Sequence, residues 1–290
     1  MSMSLLSGYF RRAGSDKYDP VLIGLWLALV LFVLIWIAPF IFILFTSLKS
    51  NATVMGSSAF SIPEHLDWSN YAKAWIRGNF STTFFNSAFI TLVKVPVGLL
   101  ISSMAAYALA NMKFKAKKAM YILIVFGTMI PFQVMLAPLF SVVNGLGLLN
   151  TYIGVILPYL AFGIPYQVFI LHGFFKSVPK ELSEAAYIDG ASHLTIFLKI
   201  FLPVSLPVLS ALLILDFVAT WNEFAMALVL LQDSSKWTLP LGLMSFQGQF
   251  ASDYGQLNSA IIMTVLPATL VYMIFQRYFV SGLTSGAVKE

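Results

Sequence analysis

The chain has 290 residues, 59% of them hydrophobic and 10% charged, with a mean hydropathy of +0.85 and a formal net charge of +5. A soluble domain carries about 25% charged residues, so this composition excludes one and indicates a polytopic membrane protein. The absence of cysteine rules out a disulfide framework or thiolate site, and the basic residues cluster at the ends of apolar runs rather than on one polar face, which argues against nucleic acid as a partner.

Residues 1–20 form a basic N-terminal segment with Arg11, Arg12 and Lys17. The uncharged run Val21–Leu48 exceeds the roughly 7–15 apolar residues of a signal-peptide core and reads as a retained first span, with no cleavable targeting segment visible. Ser50–Ser81, with Pro63, Trp68, Trp75 and mixed charge, is either ordered at the membrane surface through its aromatics or a solvated connector. A helix crosses the hydrocarbon core in about 20 residues, and further runs meet that length. They lie at about 82–110, interrupted by Lys94, at about 119–142 and 151–173, at about 201–231 and at about 257–280. Asn144, Gly145, Gly147 and Asn150 supply turn chemistry between the third and fourth. The predicted fold is an all-α membrane protein with six transmembrane helices, residues 21–290 forming one six-span domain.

A polar, helix-prone loop, residues 173–200, precedes the fifth span. Ser177 suits a helix cap and Pro179 a first turn, with Glu181 and Glu184 near the positive end of the helix. Leu182, Ala185 and Ala186 fall at i, i+3 and i+4, a narrow stripe whose two methyl side chains let a helix backbone sit deep in another protein's groove. Gly190 suits a left-handed C-terminal stop. A helix lying on lipid fits less well, because the stripe is weak and the acidic start suits anionic lipid poorly.

Six spans alternate sides. Arg11, Arg12, Lys17, Lys113, Lys115, Lys117, Lys118, Lys176, Lys180, Lys199, Arg277 and Lys289 then share one side, against Lys49, Lys73, Arg77 and Lys236 on the other. This bias places both termini and the loop in the cytoplasm. Pro39, Pro96, Pro131, Pro138, Pro158, Pro165, Pro203, Pro207 and Pro267 lie within apolar runs, where each kinks or breaks a helix unless it sits at its start.

Lys94, Asp216 and Glu223 are ionisable residues within spans, where a central charge costs at least about 2.5–3.5 kcal/mol and therefore faces the interior with a partner. Asp216 and Glu223 are two helical turns apart and fall on nearly one face, with Trp221 and Asn222 beside them. An acid, an amide and an aromatic ring are what a sugar site needs. On the alternative reading Glu223, about 33 Å along a helix counted from Phe201, terminates the span or pairs with Lys94 or another subunit. Asn86, Gln133 and Gln167 are further polar candidates, each also explained by plain interhelical hydrogen bonding. No phosphate-cradling loop, Gly-x-Ser-x-Gly elbow or paired histidine spacing occurs, so the chain is not expected to be an enzyme or to hold a metal or cofactor. Energy must come from a gradient or from another subunit.

Glu184-Ala185-Ala186, Asp189-Gly190-Ala191 and Leu202-Pro203 together resemble the signature loop of binding-protein-dependent ABC transporter permeases, most of all the carbohydrate branch. Ala219–Phe224 resembles a segment of sugar-type permeases, and the tail Phe279–Lys289 the ending of maltose-type second permeases. The resemblance implies a permease of the bacterial inner membrane. Its loop would be a coupling helix docked on an ABC ATPase dimer, beside a second permease and an extracytoplasmic solute-binding protein. It assigns coupling to Glu181, Leu182, Glu184, Ala185, Ala186, Asp189, Gly190 and Ala191, with Ser281, Gly282 and Gly286 as a second contact. Asn86, Lys94, Gln133, Asp216, Trp221, Asn222 and Glu223 are the pathway candidates. The rival readings are a gradient-driven transporter using Asp216 and Glu223, a permease for a non-sugar solute, and a membrane assembly protein.

Overall fold

The computed structural model describes residues 20–56, 58, 60–246 and 253–285, with backbone only beyond residue 276. All elements among the described residues are helical. They begin with α1 (Pro20–Ser47), α2 (Asn51–Gly56), α3 (Ser69–Arg77), α4 (Phe80–Asn111), α5 (Lys117–Phe126), α6 (Phe132–Gly145) and α7 (Tyr152–Ser177). Then follow α8 (Lys180–Ile188), α9 (His193–Val204), α10 (Leu206–Trp221), α11 (Ala225–Leu230), α12 (Leu239–Gly242) and α13 (Tyr254–Ser285). Among the described residues four helices, α1, α4, α7 and α13, are long and apolar enough to cross a membrane singly, and two bent pairs would bring the number to six.

The bends fall where proline chemistry puts them. Between α5 and α6 the direction changes by 103°, with Ile130 extended in front of Pro131. A residue before proline is pushed out of the α region, and proline has no N–H to continue the ladder. Between α9 and α10 the change is 74° at Ser205, flanked by Pro203 and Pro207. Pro39, Pro96, Pro138, Pro158, Pro165 and Pro267 instead lie inside unbroken helices. The turn predicted after α6 is present. Gly147 and Asn150 adopt left-handed φ of 69° and 58°, and the Leu148 N–H bonds back to Val143 O at 3.0 Å.

The chain forms two compact units. One comprises the residues up to Ala72 together with Asp253–Ile262. Here α1 is almost wholly exposed except at its end, where the buried Asn70 amide donates to Ser47 O (3.0 Å) and Lys49 O (2.9 Å) and Ser259 donates to Ser47 O (3.2 Å). The α1 sequence is hydrophobic all round, so its uncovered surface suits lipid or another chain.

The second unit comprises Lys73–Ser252 and the chain from Met263 onward. It is built on α4 and α7, which pack along their length with α10 beside them. One apolar cluster gathers Val95, Leu99, Tyr107, Leu171, Phe175, Phe197, Phe201 and Leu212. The other gathers Ile90, Val143, Val155, Ile156, Tyr159, Met226 and Leu230. Along α4, Lys94 sits where one cluster gives way to the other.

Helix α7 starts at a tight corner. Thr151 caps it by accepting from the Gly154 N–H at 3.0 Å, and a Cβ on Gly154 would stand 2.1 Å from Leu148 O. That oxygen belongs to the backbone and cannot rotate away. Gly154→Ala is expected to destabilise the protein by about 1–3 kcal/mol, read as a lower melting temperature of the purified chain in detergent. An unchanged melting temperature would contradict this packing.

Candidate functional site

Two features stand out from the apolar body of the second unit: a polar cavity among α4, α7, α10 and α11, and the helix α8. In the cavity the Lys94 ammonium of α4 bonds the Asp216 Oδ1 of α10, and both residues are almost fully buried, at 3% and 1% exposure. The third wall is α7, where Tyr159, Gly163 and Tyr166 share one face by their spacing of four and three. Gly163 leaves room there for the ammonium. A Cβ would lie 2.9 Å from the Lys94 Nζ and 3.5 Å from Asp216 Oδ1. The Tyr166 hydroxyl reaches Asp216 Oδ1 at 3.4 Å, whereas Asp216 Oδ2 is buried without a hydrogen-bond partner.

Glu223 reaches the same cavity by another route. The helical reading that put it on one face with Asp216 is corrected, because α10 ends at Trp221. Glu223 follows that end, and its carboxylate accepts the N–H groups of Met226 (2.8 Å) and Ala227 (3.0 Å) at the start of α11. Unpaired N–H groups and the positive end of the helix dipole hold an anion there. Tyr159 donates at 2.5 Å to the Oε2 that also accepts from Ala227. Asp216 and Glu223 thus line one cavity with Lys94, Tyr159, Phe162, Tyr166, Thr220 and Met226. Its volume is about 160 Å³, below the roughly 300–1,000 Å³ of a complete small-molecule site.

The other pathway candidates stand elsewhere. Trp221 is 3% exposed, stacks on Phe217 at 5.5 Å and donates to Thr264 O at 3.0 Å, so its ring serves packing. Asn222 is exposed and donates to Val218 O at 2.9 Å, closing the end of α10. Asn86 is buried, donates to Ser235 O and Trp237 O, and accepts from Tyr152 at 2.6 Å, which ties the loop after α11 to α4 and α7. In that loop the backbone N–H of Ser235 holds the Asp233 carboxyl below its ordinary range. Gln133 is exposed beside Pro131, at the break between α5 and α6. Gln167 accepts from Ser102 at 2.7 Å across α4 and α7, as interhelical bonding requires. Tyr159, Gly163 and Tyr166 went unread in the sequence, where their shared face was the only signal.

Helix α8 forms as its sequence predicts, with two corrections, to its cap and to its outward stripe. Ser177 does not cap it, because α7 runs through Ser177, whose hydroxyl donates to Phe174 O at 2.7 Å, and Pro179 precedes the first turn. At the other end Gly190 has φ 79°, its N–H bonds Tyr187 O at 3.0 Å and the Ala191 N–H bonds Ala186 O at 2.9 Å. This paired pattern with a left-handed glycine is the Schellman stop. Glu181, Leu182, Glu184, Ala185, Asp189 and Gly190 are exposed, whereas Ala186 and Ala191 pack against the apolar cluster and Ser183 is buried. The outward apolar stripe therefore runs through Leu182, Ala185 and Ile188, the last 87% exposed. Ser281 and Gly282 fall on the backbone of α13 with no side-chain environment described, and Gly286 and residues 1–19 lie outside the described residues.

A helical chain with a polar cavity between apolar helices and a helix presented beyond them has the build of a transport permease. The chain belongs to the family of binding-protein-dependent transport system inner membrane components, which it matches over residues 98–285. It is 36% identical over 263 residues to a diacetylchitobiose uptake system permease protein of Streptomyces coelicolor, covering 90% of this chain and 87% of that one. It is 38% identical over 255 residues to a multiple sugar-binding transport system permease protein of Streptococcus mutans, covering 87% and 91%. Its structure is similar to a chain of a bacterial ABC transporter involved in import of the acidic polysaccharide alginate. That match has a TM-score of 0.80 at 26% identity and covers 91% of this chain and 100% of the other.

The ion pair yields a test of its own. Removing one partner of a buried pair leaves the other charge uncompensated, at a cost of about 3–5 kcal/mol, whereas an apolar pair of similar volume is close to neutral. Asp216→Asn alone is expected to deplete folded protein in the membrane. The double change Lys94→Met with Asp216→Leu restores it, as monodisperse yield after detergent extraction would show. Full yield of the single variant would contradict the pairing.

Proposed function

We propose that this chain is a transmembrane permease subunit of an ABC importer that moves a carbohydrate inward, driven by ATP hydrolysis on a partner ATPase docked at α8. The observation that carries the proposal is α8 itself, a short helix with an outward stripe of Leu182, Ala185 and Ile188 and a fixed stop at Gly190. Such a stripe fits a groove on another protein, and family membership supplies the kind of protein to expect. Glu181, Glu184 and Asp189 flank the stripe as polar rim, while Ala186 and Ala191 fasten the helix to its own body. Ser281, Gly282 and Gly286 remain a second candidate contact.

Six spans, with both bent pairs counted as one span each, both termini in the cytoplasm and residues 21–290 acting as one permease domain, complete the reading. The charge bias of the loops supports this orientation. A second permease and an extracytoplasmic binding protein would complete the assembly, the former because a cavity of about 160 Å³ is only part of a solute site. A carbohydrate suits that wall. Asp216 Oδ2 offers a buried acceptor to a hydroxyl, Tyr159, Tyr166 and Thr220 offer hydroxyls, and Phe162 an aromatic face. A diacetylchitobiose uptake permease and a chain of an ABC transporter involved in alginate import, among the similar proteins, support the same class. A gradient-driven mechanism is disfavoured by the engagement of both acids, Asp216 by Lys94 and Glu223 by the start of α11.

Ile188→Asp places a charge in the proposed docking stripe at an exposed position, so the fold tolerates it. Gly190→Pro removes the N–H that bonds Tyr187 and forbids φ 79°. Both variants are expected to cut uptake of labelled oligosaccharides at least tenfold at unchanged membrane abundance. Wild-type uptake by both, or the absence of any ATPase co-purifying with the native chain, would overturn the proposal.

A further inference from the structure

A second cavity, of about 510 Å³, opens where α4 ends, α5 begins and α7 ends. It is lined by Lys117, Lys118 and Lys176, with Tyr121, His172, Leu109 and Ile122. Lys117 is partly used. Its ammonium donates to Ala110 O at 3.0 Å and Met112 O at 2.9 Å, closing the C-terminal end of α4. Lys118 and Lys176 are exposed, and among the described residues no carboxylate pairs with either. His172 is buried behind them with its ring against Tyr121, centroids 4.1 Å apart, which gives the cavity a firm aromatic wall.

Three lysines around one cavity make it electropositive, and the cavity's position limits which anion suits it. Resting on the span placement proposed above, it lies at the height of the lipid headgroups, where α4 and α7 end and α5 begins. Ile122 lines it, and along the same face of α5 Phe126 is also exposed, so an apolar track leads from the lysines towards the membrane interior. A free inorganic anion has no use for that track. A molecule with an anionic head and an acyl tail uses both parts. Basic pockets between helices at the cytoplasmic face are where anionic headgroups bind, each nearby lysine contributing about tenfold or less in affinity.

We infer that the pocket of Lys117, Lys118 and Lys176 binds the headgroup of an anionic phospholipid, its acyl chain lying along Ile122 and Phe126. Bound there, the lipid would join the α5 start to the α7 end, next to the segment that leads into α8.

Native mass spectrometry of the full-length chain in mild detergent tests this, with phosphatidylglycerol and phosphatidylcholine titrated separately. The expected result is one tight phosphatidylglycerol adduct, at least tenfold stronger than phosphatidylcholine. Lys118→Gln with Lys176→Gln should weaken it about thirtyfold, whereas Lys118→Arg with Lys176→Arg keeps it and Lys236→Gln, in another loop, leaves it unchanged. Equal binding of the two lipids, an unaltered adduct in the double glutamine variant, or displacement by equimolar inorganic phosphate would overturn the proposal.

Discussion

The ion pair between Lys94 and Asp216 is the constraint around which the second unit is arranged. A charge within an apolar body is tolerated only where it is paired and sterically enclosed. Here the pair links α4 to α10, and Gly163 on α7 leaves the space into which the ammonium fits. Three helices are thereby set in register at one point, between the two apolar clusters that hold them above and below. The arrangement leaves Asp216 Oδ2 buried without a hydrogen-bond partner, a cost that an apolar core would not carry.

From this anchored body the connection to α8 runs through aromatic and polar contacts. Tyr107 near the end of α4 packs on Phe175, Phe197 and Phe201, with the Phe201 centroid at 5.0 Å. Its hydroxyl lies 3.4 Å from His193 Nδ1, which meets the Tyr187 hydroxyl of α8 at 2.7 Å. Ala186 and Ala191 press α8 and its stop on the same cluster. Beyond them α9 contains a π-helical turn, Phe197–Phe201, and then the bend at Ser205. Such turns often mark places where a helix is adjusted for function. A displacement of α8 would reach α4 through Tyr107 and α10 through α9. ATP-driven transport needs a partner that binds α8 differently in two states, since a ligand shifts an equilibrium only by its differential affinity.

The sequence made the apolar helices, the turn after α6, the α8 helix and its glycine stop legible, because each rests on local chemistry: hydrophobic run length, turn residues, a left-handed φ. Proline position was legible only in part. Pro131, Pro203 and Pro207 flank breaks, but six others lie in helices whose packing absorbs the missing hydrogen bond. The cavity was half legible. Lys94, Asp216 and Glu223 were readable as costly charges, but which acid pairs with Lys94 depends on helix register in three dimensions. The early end of α10 turned Glu223 from a helix-face residue into a cap for α11, and Trp221 from an open ring into packing. Ile188 was missed because its exposure depends on which side of α8 meets the body, and that is settled by Ala186 and Ala191.

The central claim is that α8 is the surface through which another subunit drives this chain. The sequence has no cysteine, so single cysteines at Ala185, at Ile188 and, as a control, at exposed Asp233 can be cross-linked in native membranes against a silent background. The account predicts that the cysteines at 185 and 188 form adducts with a co-expressed ABC ATPase subunit, with yields that change when ATP is added, and that the one at 233 forms none. An adduct from 233 alone, or none from 185 and 188 in a transport-active complex, would contradict it.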